Sequence, residues 1–277
     1  MKVVFDTHGN EKQKECAKLW SDNSTEEIVY GGSKNSGKSY LGCSLIFGNA
    51  LMYPETYYFI SRASLNDLRK YTVPSVHEVF KHWGLSSDLF NYNGQDNFFL
   101  LHNGSKVFML DAKYLPSDPE YERLGSIQMT QGWIEEGGEF RSKAKENLCA
   151  TVGRWNNDKY GITGKVLITC NPSKNFLYSQ FYKPNKEGKL PDFRAFIQAL
   201  PQDNKMAAKG YYEKLQRTLS KAQKERLLYG NWEYDDDPSV LFEYDVINDL
   251  FTNKCDAEEK YISFDCAGGG DDKTRRS

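Results

Sequence analysis

The chain has 277 residues, of which 39% are hydrophobic, 27% charged and 14% aromatic. This balance excludes disorder throughout the chain and suits one large α/β domain with a small addition, or two modest domains. The net charge of -2 gives no overall basic footprint, so any contact with nucleic acid must come from a local basic face. No apolar run is long enough to span a bilayer, so no membrane partner is expected.

The predicted elements alternate between helices and strands along the chain. Helices are predicted at 11–20, 40–52, 65–83 (with a break before Pro74), 147–155 and 204–228. Strands are predicted at 26–30, 56–60, 129–135, 165–170 and 195–200, with a hairpin over 97–110 that turns at Asn103-Gly104. This alternation predicts a largely parallel sheet.

The composition changes near residue 234, where an acidic stretch ends in Pro238. We predict a first domain over residues 1–234, a linker over 235–259 and the beginning of a second domain over 260–277, with a strand at 260–265. Six cysteines are scattered without a C-x-x-C pair, and the N-terminal residues lack the apolar stretch of a secretory signal. These features predict a reduced, cytoplasmic setting.

One stretch matches G-x-x-x-x-G-K-[ST] at every fixed position, between a predicted strand and a predicted helix. In this pattern, glycines let backbone N–H groups turn towards phosphates, and the helix that follows adds the positive end of its dipole. The lysine reaches the β- and γ-phosphates, and the final hydroxyl ligates Mg²⁺. The sequence therefore predicts a nucleoside triphosphate site rather than an ordinary turn. Its residues are Gly32, Ser33, Lys34, Asn35, Ser36, Gly37, Lys38 and Ser39.

Hydrolysis requires acidic groups near the metal and the attacking water, and the segment 128–136, which contains the predicted strand 129–135, ends in two of them. We expect Glu135 near Mg²⁺ and Glu136 as the general base. The alternative is a surface strand that ends in solvated acids, as we expect for the nearby Glu139.

These segments, in this order, resemble the large terminase subunit, the motor that packages DNA in tailed bacteriophages. The segments are a helix carrying Gln13, GGSKNSGKS, WIEE, LITCNP, LLYGNWE and YISFD. The resemblance covers nearly the whole chain. It implies an α/β P-loop ATPase of the additional-strand type, with a mainly parallel sheet and helices on both faces. An RNase H-like nuclease domain would begin at residue 260.

The resemblance also implies roles for individual residues. Gln13 would read the adenine, Lys38 and Ser39 would hold phosphate and Mg²⁺, and Glu136 would be the catalytic base. Asn171 would sense the γ-phosphate and couple hydrolysis to DNA movement. Two alternatives stay open, because Gln13 could be an exposed helix residue and Asn171 could belong to an ordinary Asn-Pro turn.

The chain departs from the family pattern at two positions. Lys34 stands where the family often has an arginine, which puts an arginine finger acting on its own subunit in doubt. Glu135 stands where an aspartate is common, so its longer side chain is expected to reach the metal through water. Arg123, with Arg62 as a rival, is the candidate for an arginine that acts on the nucleotide of a neighbouring subunit.

The nuclease part is expected to be incomplete. Asp265 could be its first metal ligand, whereas Asp271 and Asp272 are expected in a solvated loop. Several carboxylates must converge to hold two metal ions, and the remaining acids are absent. We therefore expect a truncated or clipped chain that does not cut DNA.

The expected function is an ATP-driven motor that moves double-stranded DNA into a procapsid in the host cytoplasm. The implied partners are DNA, the small terminase subunit, the portal protein and further copies in a working ring, with a monomer expected in isolation. Five basic residues could contact DNA phosphates or form a solvated helix face: Lys214, Arg217, Lys221, Lys224 and Arg226. The alternatives are a helicase or other DNA-dependent ATPase, and a nucleotide-gated assembly protein with little turnover.

Overall fold

A computed structural model gives the structure of the chain and describes residues 6–234. The chain divides into two units, Met1–Asp236 and Asp237–Ser277, and the described residues lie in the first. The predicted linker and second domain lie outside the described residues. Within residues 6–234, no helix is both long and apolar enough to cross a membrane.

Eight strands and ten α-helices are described within residues 6–234. The strands are β1 Glu27–Gly32, β2 Tyr57–Arg62, β3 Phe90–Asn93, β4 Phe98–Leu101, β5 Lys106–Asp111, β6 Gln131–Ile134, β7 Val166–Cys170 and β8 Arg194–Ala199. The helices are α1 Glu11–Ser21, α2 Lys38–Met52, α3 Leu65–Asp67, α4 Val73–His82, α5 Glu122–Gly125, α6 Ser142–Cys149, α7 Asn157–Tyr160, α8 Lys183–Lys186, α9 Tyr211–Thr218 and α10 Lys221–Leu227. Two π-helical turns, Leu68–Thr72 and Tyr178–Tyr182, lie directly before α4 and α8.

All eight strands form one sheet, in the order β3-β4-β5-β2-β6-β7-β1-β8. Strands β3, β4 and β5 pair antiparallel, and every other pairing is parallel. Strand β7 lies between β1, which leads into the glycine loop, and β6, which leads into the two glutamates. This inserted strand defines the additional-strand type, as predicted. The carboxyl ends of β1, β6 and β7 meet at one edge, where open α/β sheets bind ligands.

The central strands are covered on both faces, as the resemblance implied. In β1, Ile28 and Tyr30 pack into the core formed with α1, α2 and α4. Val29, which points to the opposite face, packs into a second core with residues of α6 and the second π-turn. Strands buried on both faces give continuous apolar runs, which explains why the sequence identified them.

Three predictions about helices are corrected by the structure. The predicted helix at 147–155 is wrong, because α6 ends at Cys149 and the following backbone bonds to another segment. The Met129 N–H donates to the Thr151 carbonyl at 2.9 Å, and the Arg154 N–H donates to the Met129 carbonyl at 3.0 Å.

The helix over 65–83 does not break before Pro74. The π-helical turn Leu68–Thr72 leads directly into α4, and the Val73 N–H donates to the Leu68 carbonyl five residues earlier. The wider turn thus lies just before Pro74, which has no N–H to donate. The long helix predicted at 204–228 is two shorter ones, because Ser220 accepts a hydrogen bond from the Gln223 N–H and starts α10. The hairpin turn at Asn103-Gly104 is confirmed, and β3 adds a strand that the sequence did not reveal.

Candidate functional site

The loop between β1 and α2 has a backbone that larger residues would obstruct. A Cβ on Gly32 would lie 1.9 Å from the Ala199 carbonyl oxygen, and Gly37 has a φ of +84°. No side-chain hydrogen bond caps the N-terminus of α2, and N–H groups in the first turn of a helix have no partner within the helix and favour anions. The glycines are therefore required by close approach and by positive φ, as the motif predicts.

Lys38 is the first residue of α2, and its side chain contacts the backbone of this loop. Its Nζ donates to the carbonyl oxygens of Gly32 at 3.1 Å and Ser33 at 2.7 Å, and to Asn171 Oδ1 at 3.0 Å. Burial lowers the pKa of Lys38, and the nearby Glu136 carboxylate opposes that shift. Three oxygen partners and a neighbouring acid thus hold the ammonium group against the loop backbone and Asn171.

Glu135 lies just beyond the end of β6 and is 6% exposed. Its Oε1 accepts a hydrogen bond from Ser39 Oγ at 3.1 Å, and its Oε2 accepts one from the hydroxyl of Thr72. The Nη1 of Arg62 lies 3.9 Å from the same Oε2. Burial raises the pKa of Glu135 above its ordinary value, although these three partners oppose the rise.

Glu136 and Asn171 lie next to each other at the ends of adjacent strands. Asn171 Nδ2 donates to Glu136 Oε2 at 3.1 Å. Glu136 has a φ of +53°, a conformation that is uncommon for a residue with a long side chain and is often found at functional sites. The next residue has to be small, because a Cβ on Gly137 would lie 2.5 Å from Ile168 Cγ2.

A cavity of about 290 Å³ lies over the loop. It is lined by Lys34, Asn35, Ser36, Gly37, Lys38, Ser39, Tyr40, Glu136 and Asn171. Larger cavities exist elsewhere, including one of about 360 Å³ beside Trp20 and Trp83. The cavity over the loop nevertheless combines a glycine loop, a lysine and a carboxylate, which is the chemistry that phosphate binding and hydrolysis need.

The oxygens next to this cavity suit a magnesium ion. Within residues 6–234 no group of three or more His, Cys, Asp or Glu residues could hold a metal. Mg²⁺ characteristically binds one or two protein oxygens together with phosphate and water. The Ser39 hydroxyl and the Glu135 carboxylate, 3.1 Å apart, match that donor set.

A model of the family described as "Terminase large subunit, T4likevirus-type, N-terminal" matches residues 29–249 of the sequence. The chain belongs to the large terminase family. The comparison with curated proteins finds no match.

The fold is also similar to solved large terminase structures. The large terminase of the thermophilic bacteriophage D6E is 15% identical, with a TM-score of 0.64, over 85% of this chain and 56% of that one. The large terminase of bacteriophage HK97 is 11% identical, with a TM-score of 0.53, over 82% of this chain and 50% of that one. The large terminase ATPase domain of Thermus phage P74-26 is 12% identical, with a TM-score of 0.52, over 77% of this chain and 91% of that one. The chain thus spans about half the length of the D6E and HK97 terminases. At these identities the likeness shows the fold.

Two arginines of this chain were candidates for an arginine finger that acts on the nucleotide of a neighbouring subunit. Arg123 forms an ion pair with Asp118 at 2.6 Å, while its Nη2 donates to the Lys113 carbonyl at 2.5 Å. Arg62 lies beside the acids of its own subunit, 3.9 Å from both Glu135 and Glu139. Neither lines the cavity. A role for Arg123 on a neighbouring subunit stays a prediction.

Gln13 is 4% exposed, so the alternative of an exposed helix residue is wrong. Its Nε2 donates to the Gly37 carbonyl at 3.0 Å, which joins α1 to the loop. Asn10 caps the same helix by accepting from the Gln13 N–H at 3.1 Å. Adenine recognition by Gln13 remains a prediction.

The segment around α10 also contacts the loop, which the sequence motifs did not indicate. The Lys34 N–H donates to the Leu227 carbonyl at 2.9 Å, and Ser33 Oγ donates to the Leu228 carbonyl at 3.1 Å. From the same helix, Arg226 Nε donates to the Pro172 carbonyl at 3.0 Å. Arg226 is therefore bonded within the domain, and DNA contact by the five basic residues of this region remains a prediction.

The sequence did not predict the contacts that Thr72 and Arg62 make with Glu135, although Arg62 was a candidate for a different role. Thr72 and Arg62 reach Glu135 from segments 63 and 73 residues earlier in the chain, as the numbering itself shows. Neither contact belongs to a motif with fixed spacing, so no local signal could predict it. The predicted metal ligand Asp265 lies outside the described residues.

Proposed function

We propose that this chain binds ATP and magnesium in the cavity over the loop and hydrolyses the bond between the β- and γ-phosphates. The observation that carries the proposal is the set of contacts around Asn171, which joins the loop lysine Lys38 to the acid Glu136. This set brings together the phosphate-binding and water-activating groups of one reaction. Structures of the D6E large terminase with ADP and with ATP-gamma-S, at 16% and 15% identity, support nucleotide binding by the shared fold.

Each residue has a chemical task in this proposal. The loop N–H groups and Lys38 hold the phosphates and stabilise negative charge as the terminal phosphoryl group is transferred to water and ADP departs. Ser39 and Glu135 would hold magnesium, which would neutralise charge on the phosphate oxygens. Glu136 accepts the proton of the attacking water, and Asn171 orients the Glu136 carboxylate.

The larger activity proposed is that of a motor subunit that packages double-stranded DNA into a procapsid in the host cytoplasm. The family assignment supports this function and disfavours the helicase and assembly-protein alternatives. The proposed partners are DNA, the small terminase subunit, the portal protein and further copies of the chain in a ring. Arg123 would act there on the nucleotide of the neighbouring subunit, and Gln13 would contact the adenine.

The proposal is tested with Glu136→Gln, which keeps the size of the side chain and removes its basicity. We expect unchanged affinity for ATP-gamma-S with magnesium and a loss of turnover of about 100-fold or more, because general-base catalysis contributes roughly 10²–10⁴-fold. Glu139→Gln is the matched control, since Glu139 is half exposed and lies three residues further on. Equal turnover of Glu136→Gln and the unaltered chain would overturn the assignment of the base.

Motor function needs a separate measurement. We expect ATP turnover to rise when DNA and procapsids that carry the portal are both present. DNase-protected DNA should accumulate with the unaltered chain and not with Glu136→Gln. Turnover that DNA alone stimulates, with no effect of procapsids, would contradict the packaging function and leave the ATPase assignment intact.

A further inference from the structure

Thr72 occupies an unusual position beside the acid that faces the proposed metal. It is the last residue of the π-turn Leu68–Thr72 and is 1% exposed. Threonine hydroxyls in helices usually bond to a backbone carbonyl of the preceding turn. The Thr72 hydroxyl donates instead to Oε2 of Glu135, on a different element of the fold.

This bond completes a fixed arrangement of the Glu135 carboxylate. Ser39 holds Oε1 and Thr72 holds Oε2, so each oxygen has its own hydroxyl donor. The Nη1 of Arg62, at 3.9 Å, contributes charge but lies beyond hydrogen-bonding distance. Thr72 is thus the group that fixes the far oxygen by a direct bond.

The Thr72 hydrogen bond restricts a side chain that is longer, and therefore more flexible, than aspartate. Aspartate, which is common at this position among loop ATPases, has one fewer rotatable bond, so its carboxylate needs less support. A glutamate gains an additional torsion, and a second hydroxyl is needed to hold its carboxylate in one orientation. The π-turn, a feature often found at functional sites, brings Thr72 to the required place.

We propose that Thr72 is a positioning residue for magnesium binding, holding Glu135 so that Oε1 stays beside Ser39. The inference rests on the proposed function, because it assumes that Ser39 and Glu135 hold the metal of a bound nucleotide. Partners of metal ligands orient those ligands, and their loss typically weakens metal affinity or activity by 10- to 100-fold.

The first test measures metal binding without turnover. The affinity of the chain for Mn²⁺ in the presence of ATP-gamma-S is followed by the electron paramagnetic resonance signal of free Mn²⁺. We expect Thr72→Val and Thr72→Ala to weaken this affinity by about 10- to 100-fold, and Thr72→Ser, which keeps the hydroxyl, to restore it within about threefold of the original value. Ser75→Ala is the matched control, because its hydroxyl bonds to the Tyr71 carbonyl within the same helical stretch.

The outcomes separate this inference from the function on which it rests. If the unaltered chain binds no Mn²⁺ with the nucleotide, the proposed function fails. If it binds Mn²⁺ and Thr72→Val binds equally well, the positioning role is wrong. Equal weakening in Thr72→Ser and Thr72→Ala, or in Ser75→Ala, would assign the effect to packing of the helix and also overturn the inference.

A second test asks whether Thr72 acts through Glu135. Glu135→Asp is too short to keep both hydroxyl partners, so we expect a weakened affinity for Mn²⁺ in that variant. Adding Thr72→Ala to Glu135→Asp should then weaken it by less than about twofold, since the contact is already lost. If the two substitutions weaken binding independently, so that their fold-changes multiply, Thr72 does not act through this carboxylate.

Discussion

The side chain of Asn171 donates a hydrogen bond from Nδ2 to Oε2 of Glu136 at 3.1 Å. The same side chain accepts from Lys38 Nζ through its Oδ1 at 3.0 Å. The order of the strands causes this contact, because β7 lies between the strand of the loop and the strand of the acids. One amide therefore contacts both the loop lysine and the proposed base, and a coupling role for Asn171 stays a prediction.

Asn171→Ala should lower kcat for ATP by about 10- to 100-fold, since a hydrogen bond to a charged group contributes roughly 1.5–3 kcal/mol. KM should change by less than about threefold, because the loop N–H groups and Lys38 remain. Steady-state hydrolysis measures both constants. Asn171→Asp should be worse than Asn171→Ala, because it places a second carboxylate against Glu136. A variant that lowers affinity and leaves kcat unchanged would contradict an orienting role.

Glu135 should reduce the stability of the domain at neutral pH. Burial raises its pKa, so between the ordinary value of 4.5 and the raised value the folded chain binds more protons than the unfolded chain. Stability attributable to this group therefore falls as the pH rises through that window. Glu135→Gln should unfold at a higher urea concentration than the unaltered chain at pH 7.5, and this advantage should vanish near pH 4. Glu78→Gln, at an exposed position, is the control and should show no such trend.

Two glycines of α2 should respond in opposite ways to alanine. A Cβ on Gly42 would lie 2.3 Å from Trp133, a fully buried side chain, whereas a Cβ on Gly48 meets nothing within 4 Å. Gly42→Ala should destabilise the domain by about 1–3 kcal/mol through overpacking. Gly48→Ala should stabilise it by about 0.5–1 kcal/mol, because alanine loses less backbone entropy in a helix. Urea unfolding of both variants measures these changes. If both variants were stabilised, or both destabilised, the result would contradict the packing described around Trp133.

A buried lysine links α1 to β7 and offers a test of the fold. Lys165 is 1% exposed, and its Nζ donates to Asp22 Oδ1 and to the Leu19 carbonyl, both at 2.7 Å. Burial opposes ionisation of Asp22, but hydrogen bonds from Lys165 and from residues 24 and 25 outweigh it and lower the Asp22 pKa to about 2.

Asp22→Ala should lower the free energy of unfolding by about 3 kcal/mol at pH 7, because it leaves the charge of Lys165 buried without its partner. The stability given by Asp22 is present above its unfolded pKa of 3.8 and is lost as the pH falls towards 2, so this penalty should shrink over that range. Lys165→Met removes the charge and should lower the free energy of unfolding by less than about 1 kcal/mol. Equal losses for the two variants would indicate that packing, rather than the charge, determines stability here.

Local patterns in the sequence were sufficient for much of the fold. The strand before the glycine loop and the strands at residues 56–60 and 165–170 were identified because each is buried on both faces and so forms an apolar run. The helix at 147–155 was placed wrongly because its backbone hydrogen bonds go to Met129 and Thr130, which local propensity does not report. The sequence did not predict β3, because this short strand is defined by its antiparallel pairing with β4 rather than by a local apolar pattern.

The sequence by itself determined the glycine loop with its lysine and serine, and the two acids, because each belongs to a short motif whose chemistry depends on fixed spacing. The order of these motifs along the chain indicated the family. Tertiary structure decided that Asn171 contacts both Lys38 and Glu136, that Gln13 is buried against Gly37, and that Thr72 and Arg62 reach Glu135. These contacts join residues 24 to 133 positions apart. They exist because parallel strands bring their carboxyl ends to one edge, and the order of those strands is fixed by packing of the whole domain rather than by any local segment.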